Sequence, residues 1–505
     1  MINLYFLYEF YSVSNFSKNY EGKLKWGEGM QKKNIEYFKK IGLELLCISC
    51  ALLLLTSLFS FISLAKSTNA SGETGTNDKI SAPLFSIITE ASATEQIPII
   101  IQLQNQNIPF NTKQGRSQID DEQKNIMSYL NEAKARNKAQ KIKSTHIVNA
   151  IATKVTPEII ASLAEMPEVS RIELDEVVSA SGEKVSLSKT VNPSCSKHNN
   201  SWGIDKIEAP EVWKRGVTGK GIIVAVVDSG IDATHPDLDD LDDNPCTKDP
   251  KVVGWIDYID GSKCPYDDFG HGTQIAGTIS GTGASGVNTG VAPGTKLIVA
   301  KVFGQYGSGY RSDVILAFEW AVNNGARIIS FSGGVGSHNS SFTIAIDKIV
   351  AAGVIPVVSA GNNGPDSKTI TCPGDEINST TVGATDSSDL IDYFSSRGPV
   401  NLYRKQYIKP DISAPGVDIT STVPVNYGYA YEDVSGTSIA APHVSGTVAL
   451  MLEKNPTLKP SKIKSILEST AVDLGQAGKD NDYGAGRINA YRAVFYNPAS
   501  FRCKL

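Results

Sequence analysis

Gly436-Thr437-Ser438-Ile439-Ala440-Ala441-Pro442-His443-Val444-Ser445-Gly446 is the stretch from which the organisation of this chain can be read. A serine follows two small residues, and an almost wholly apolar or small run continues to Leu452. Such a run suits a helix buried on every side. Ser438 would stand at its positive end, with Pro442 in the first turn, where a missing N–H costs little. Two further stretches lie upstream. Ala225-Val226-Val227-Asp228-Ser229-Gly230 sets a carboxylate after a buried strand, and Phe269-Gly270-His271-Gly272-Thr273 sets an imidazole between glycines at a loop-to-helix transition. A carboxylate in that position needs a partner. A histidine supplies one, and a serine hydroxyl becomes a nucleophile only beside a base.

Outward from these motifs the pattern alternates. Apolar runs over 221–227, 296–302, 326–331 and 354–359 read as short strands, with helical segments over 313–323 and 341–352 between them. The expected fold is α/β: a mostly parallel sheet with helices on both faces. Sites in such sheets form beyond the carboxyl ends of strands, and Asp228 and Asn362 both follow one.

The chain order Asp228, His271, Ser438 and the continuation Ile231-Asp232-Ala233-Thr234-His235-Pro236-Asp237-Leu238 resemble the subtilisin-like serine proteases. The closing segment Gly484-Ala485-Gly486-Arg487-Ile488-Asn489-Ala490 does too, and the resemblance covers about residue 87 to the end. It implies an endopeptidase in which Ser438 attacks, His271 shuttles the proton and Asp228 orients His271. Asn362, after Ala360-Gly361, would hold the oxyanion. Ser332-Gly333-Gly334 and Ser359-Ala360-Gly361 would bind protein or peptide substrates as an added strand. Gly333 stands where the family often has an apolar side chain, so wider neighbouring subsites are expected. Thr371-Cys372-Pro373 falls near the floor of the first specificity pocket, where Cys372 is either a reactive thiol or a plain buried cysteine. His235 and His443 are read as structural.

No cofactor is implied for this chemistry. Structural calcium is common in the family, and Asp237 aligns with one of its ligands. Residues 282–288 offer no convincing partner asparagine. The acidic run Asp237, Asp239, Asp240, Asp242, Asp243 would suit calcium or a solvated loop, so no metal is assigned.

Before the catalytic part, residues 87–178 read as a small α+β unit. Strands are expected over 97–103, 147–151 and 169–174, and helices over 120–140 and 157–164. The unit resembles the subtilisin propeptide, a split βαβ fold that plugs the enzyme's cleft as an intramolecular inhibitor. Residues 179–200, polar and without period, read as the join that is cut, 66–86 as a linker and 201–505 as the catalytic domain. Residues 41–65 are apolar behind Lys39-Lys40, and 30–65 reads as a signal peptide or a retained membrane anchor. Residues 1–29 read as an extension or a mis-assigned start, because Met30-Gln31-Lys32-Lys33 is the more ordinary beginning. Both readings put the remainder outside the cell, secreted or anchored to the outer face of the membrane.

A net charge of −5 over 505 residues gives no reason to expect a nucleic-acid partner. Of seven cysteines, Cys246 and Cys264 bracket one polar loop and are the preferred disulfide pair. Cys47 and Cys50 lie inside the apolar segment, and the other five cysteines show no CxxC spacing or histidine companion pattern, which argues against zinc. A nucleotide-binding α/β protein would need a GxxxxGK[ST] or a well-placed GxGxxG, and neither occurs. A silent scaffold of the same fold would normally lack one of the three motif residues.

Overall fold

The computed structural model describes residues 77–180, 200–238, 251–336 and 338–497. The expectations for 1–65, most of 66–86, the greater part of 179–200 and Asp239 to Asp243 lie outside the described residues.

The N-terminal unit runs α1 (Ala82–Glu90), β1 (Ile97–Leu103), α2 (Lys113–Ala135), β2 (Ala139–Thr145), β3 (Ala150–Val155), α3 (Pro157–Glu165), β4 (Val169–Leu174) and β5 (Val177–Ala180). The first four strands form one antiparallel sheet in the order β2-β3-β1-β4. That is the split βαβ arrangement. Thr112 caps α2, its hydroxyl accepting from Gly115 N at 3.0 Å, and α2 buries Ile119, Ile126, Leu130 and Ala133.

Three sequence expectations need correction here. The helix expected over 120–140 is Lys113–Ala135, and residues 139–140 open β2. That strand lies at the sheet edge with Gln140 and Lys141 exposed, so no apolar alternation announces it. The strand expected over 147–151 begins only at Ala150, because Asn149 turns the chain with φ of 36°. The packed unit also starts before residue 87: α1 begins at Ala82, Leu84 is fully buried, and Ile80 bridges Ile172.

The larger part opens with α4 (Trp202–Lys206) and α5 (Ala209–Trp213), then β6 (Ile223–Asp228), β7 (Val252–Asp257), α6 (His271–Ser280), β8 (Lys296–Lys301) and β9 (Ser308–Tyr310). There follow α7 (Arg311–Asn323), β10 (Ile328–Phe331), β11 (Gly333–Gly334), α8 (Ser340–Ala351), β12 (Ile355–Ser359) and β13 (Thr380–Thr385). Two short hairpins flank β16 (Ile412–Pro415): β14 (Val400–Leu402) with β15 (Lys405–Tyr407), and β17 (Ile419–Thr422) with β18 (Tyr431–Val434). Helices α9 (Thr437–Lys454), α10 (Pro460–Thr470) and α11 (Ala490–Val494) complete it.

Seven parallel strands form the main sheet in the order β7-β8-β6-β10-β12-β13-β16. Successive residues of a strand point to opposite faces, and β6 shows the result. Val224 and Val226 join a core with α6 and α9, while Ala225 and Val227 join a second core with α7 and α8. The second core also takes in Ile100, Ile119, Ile147, Ala150 and Ala152, so the N-terminal unit packs on that face. From β6 the chain goes to the edge strand β7, returns to β8 beside β6, and then crosses to β10 on the other side, so the direction of winding changes at β6.

Truncating Ile328 in the buried strand β10 should cost about 2–5 kcal/mol, because a fully buried isoleucine leaves a cavity. Urea unfolding of Ile328→Ala beside wild type measures it, and a change below about 0.5 kcal/mol would contradict the burial assigned to this strand.

Candidate active site

Asp228 ends β6 with no exposed surface. Its Oδ1 accepts from the Ser229 N–H and from His271 Nδ1, each at 2.7 Å. His271 opens α6, and two glycines let the helix start meet the strand end. A Cβ on Gly272 would lie 2.1 Å from the Gly230 carbonyl oxygen, and Gly270 has φ of 91°.

Asp267 holds this helix start. Its carboxylate accepts from Gly270 N, Thr273 N, Thr273 Oγ1 and Ser229 Oγ, and Ser229 Oγ accepts in turn from Gly272 N. The fully buried Lys301 ties the loop down by donating to Ser229 O, Asp268 Oδ1 and Phe303 O. Sequence reading missed Asp267. Its signal was a carboxylate three residues before the glycine that precedes the helix, the place where orphan N–H groups need acceptors.

Burial pulls the His271 imidazole down. The Asp228 charge and hydrogen bond, with Asp267 behind them, push it up and prevail, so its pKa is raised above 6.5. Its other nitrogen, Nε2, is buried and meets no hydrogen-bond partner among the described residues. His235 and His443 are buried and differently employed. His235 Nε2 donates to Ala430 O while its Nδ1 accepts from Asp237 N, and His443 Nδ1 donates to Ile439 O. Burial drops His443 to about 4.

Ser438 is the second residue of α9, a helix buried from Thr437 to Leu452 that packs against α6. Pro442 sits inside this helix rather than in its first turn. A proline there removes the donor that would serve the Ser438 carbonyl. Ser332 Oγ replaces it at 2.9 Å. Asn362 follows β12, and its Oδ1 accepts from Thr437 N and Thr437 Oγ1 at 3.0 and 2.8 Å. Those bonds fix which end of the amide donates, beside the N-terminus that carries Ser438.

The N-terminal unit reaches this region through β5. Ala180 and Ser179 pair antiparallel with Gly333 and Gly334, and residues 177–179 pair antiparallel with Tyr310, Gly309 and Ser308. The expected join 179–200 therefore begins inside a paired strand. The expectation for the second strand-binding segment is corrected. Ala360 and Gly361 do not flank β5, since their backbone groups bond Val382, Thr371, Ser396 and Thr437. They form a wall instead: Cβ atoms on Gly334 and on Gly361 would both strike Thr371. The second flank is Ser308–Tyr310, which sequence reading missed because a three-residue strand has no period. A side chain at Gly333 would meet Phe303 and Phe331.

Buried ion pairs anchor the same interface. Arg311 has no exposed surface, donates to Leu174 O and pairs with Glu176 Oε2. Asp175 accepts from Ser312 N and Oγ at the start of α7, and burial pushes its carboxyl up to about 6.

For a cation at Asp237 the fit is poor. Its carboxylate accepts from Gly283 N, Ser285 N and Tyr431 Oη, so protein donors already serve both oxygens. Cys264 is disulfide-bonded, and Cys246, its expected partner, lies outside the described residues. Cys372 is free and buried. Among the described residues no helix is long and apolar enough to cross a membrane.

β5 thus lies against Gly333–Gly334, next in the chain to Ser332, whose hydroxyl holds the Ser438 carbonyl. Residues 219–486 match the subtilase family (peptidase S8), and residues 100–181 match peptidase inhibitor I9. The chain belongs to the subtilase family of serine endopeptidases. It is 38% identical over 293 residues to subtilisin Savinase of Lederbergia lenta, covering 58% of this chain and 98% of that one. With an alkaline protease of Alkalihalobacillus alcalophilus the figures are 35% over 347 residues, 69% and 80%. With bacillopeptidase F of Bacillus subtilis (strain 168) they are 34% over 406 residues, 74% and 28%, so the chain spans about 28% of that relative's length. Subtilases need no cofactor for catalysis.

If neutral His271 is required for activity, kcat/KM should rise with pH through an acid limb whose midpoint lies above 6.5, the raised value placing it there. A profile from pH 4 to 10 on a small peptide substrate checks this. A midpoint well below 6.5 would contradict the balance of burial and charge described for His271.

Proposed function

We propose that this chain is an exported serine endopeptidase, made as a precursor that processes itself and is held inactive by residues 87–178. The observation that carries the reading is the buried 2.7 Å bond between Asp228 and His271, whose other ring nitrogen stays unengaged. In the first step Ser438 Oγ attacks the peptide carbonyl carbon and His271 Nε2 takes the hydroxyl proton. Asp228 stabilises the imidazolium and keeps the ring in the required tautomer. The Asn362 amide and the start of α9 hold the oxyanion. Collapse breaks the C–N bond, the leaving amine takes the proton from His271, and water then releases the acyl group by the same route.

Substrate would bind as β5 does, as an added strand between Gly333–Gly334 and Ser308–Tyr310. The N-terminal unit then acts as a product-like inhibitor, and the cut falls beyond Ala180. Asp237, with its oxygens already served, supports no calcium role, and no step of the reaction passes through a metal. The apolar segment 41–65 supports export, by a cleaved signal or a retained anchor, and an extracellular site of action.

Two outcomes are expected. Ser438→Ala should leave the fold intact and accumulate as an uncut precursor, read by mass spectrometry of the expressed chain. Maturation of that variant alone would mean that another protease makes the cut.

The second concerns pH. His146 of the N-terminal unit bonds Glu319 Oε1 and Asp120 Oδ1, both at 2.9 Å. The Glu319 bond, opposed by burial and helped by Asp120, raises its pKa above 6.5. A raised pKa in the bound state contributes fully below 6.5 and is lost as pH rises through the bound value. Wild-type propeptide should therefore inhibit better than His146→Gln at pH 6, with the difference vanishing at high pH. A constant ratio of inhibition constants from pH 5.5 to 9 would contradict it.

A further inference from the structure

Two loops beside the proposed cleft bring four metal-binding side chains together. Val335 and Cys372 exchange backbone hydrogen bonds, each at 2.9 Å, which aligns the segment leading to His338 with the segment running to Glu376. The donor atoms of His338, Cys372, Asp375 and Glu376 all lie within 4.8 Å of one another. His338 Nδ1 stands 3.4 Å from Asp375 Oδ2 and 3.2 Å from Glu376 Oε1.

We infer that these four residues form a binding site for one zinc-class divalent transition-metal ion. Geometry is the first support. Ligands about 2.0–2.3 Å from a tetrahedral zinc lie about 3.3–3.7 Å from each other, close to the two separations above. The second support is Asp375. It is 7% exposed, and its Oδ1 is buried with no hydrogen-bond partner among the described residues. A buried unpaired carboxylate oxygen is costly unless something positive meets it.

Chemistry gives the class of ion. One imidazole, one thiol and two carboxylates select a borderline ion over calcium or magnesium, which take oxygen alone. Cys372 is the chain's free buried thiol among the described residues. On binding, the Cys372 thiol and the His338 Nδ1–H would each give a proton to solvent, leaving a thiolate and a neutral imidazole as ligands.

Charge and access agree. The two carboxylates and the Cys372 thiolate bring three negative charges together, and a divalent ion offsets two of them. Cys372, Asp375 and Glu376 are buried, whereas the His338 side chain is 37% exposed. His338 also borders a cavity of about 240 Å³ with Asn339, Ser340 and Glu173. Cys372 directly follows Thr371, the residue that separates Gly334 from Gly361, so the ion would brace that wall from behind. Residue spacing concealed the site, because its ligands come from two loops joined only by the Val335–Cys372 pairing.

The test uses the full chain as the Ser438→Ala precursor, which cannot digest itself, freed of metal by a chelator. Calorimetric titration with Zn2+ should show one site and a raised melting temperature. Co2+ should give a thiolate-to-metal charge-transfer band in the near ultraviolet. His338→Ala should weaken zinc binding by roughly tenfold or more, and Cys372→Ser should abolish the cobalt band. No saturable zinc binding would overturn the proposal. So would zinc affinity that is the same in wild type and in His338→Ala, a partly exposed position whose change decides the matter even if Cys372→Ser does not fold.

Discussion

A carboxylate with no exposed surface stands at the carboxyl end of the interior strand β6, and much of the structure is arranged around it. Burying a carboxylate there is costly without donors, and Asp228 has two, the Ser229 N–H and His271 Nδ1. Bringing the imidazole so close requires the start of α6 to touch the end of β6. That contact works only without a side chain at Gly272, and Gly230 is equally bare where the Tyr266 carbonyl comes close. Asp267 then satisfies the exposed helix N–H groups, and Lys301 balances the negative charge of the loop. The glycines, the acidic cap and the buried lysine are all consequences of one bond.

A similar economy governs the other helix start. Pro442 deprives the Ser438 carbonyl of its helical donor, and Ser332 supplies another from the strand that leads into β11. The same short segment therefore fixes the backbone of the proposed nucleophile and pairs with the inhibitory tail at Gly333–Gly334. Thr437 in turn holds Asn362. Serine, amide and substrate edge are set relative to each other by hydrogen bonds rather than by loop packing alone.

Much of this was legible in the sequence, for identifiable reasons. Strands buried on both faces, such as β6 and β8, are continuous apolar runs and could be read directly. Their ends carried Asp228 and Asn362 as expected. The misread parts are those without a local apolar period. The edge strand β2 is polar, β9 is three residues long, and both become strands only through what they pair with. Phe303 and Phe331 close on Gly333, an approach that no local pattern reveals. The wall role of Ala360 and Gly361, in place of strand pairing, likewise depends on Val382, Thr371 and Ser396.

The central claim is that Ser438 is the nucleophile activated by the Asp228–His271 pair. A fluorophosphonate probe reacts with an activated serine hydroxyl, so mass spectrometry of the labelled mature enzyme locates it directly. The account predicts a single adduct on Ser438, formed far more slowly in Asp228→Asn. An adduct on another serine, or equal labelling with and without Asp228, would contradict it.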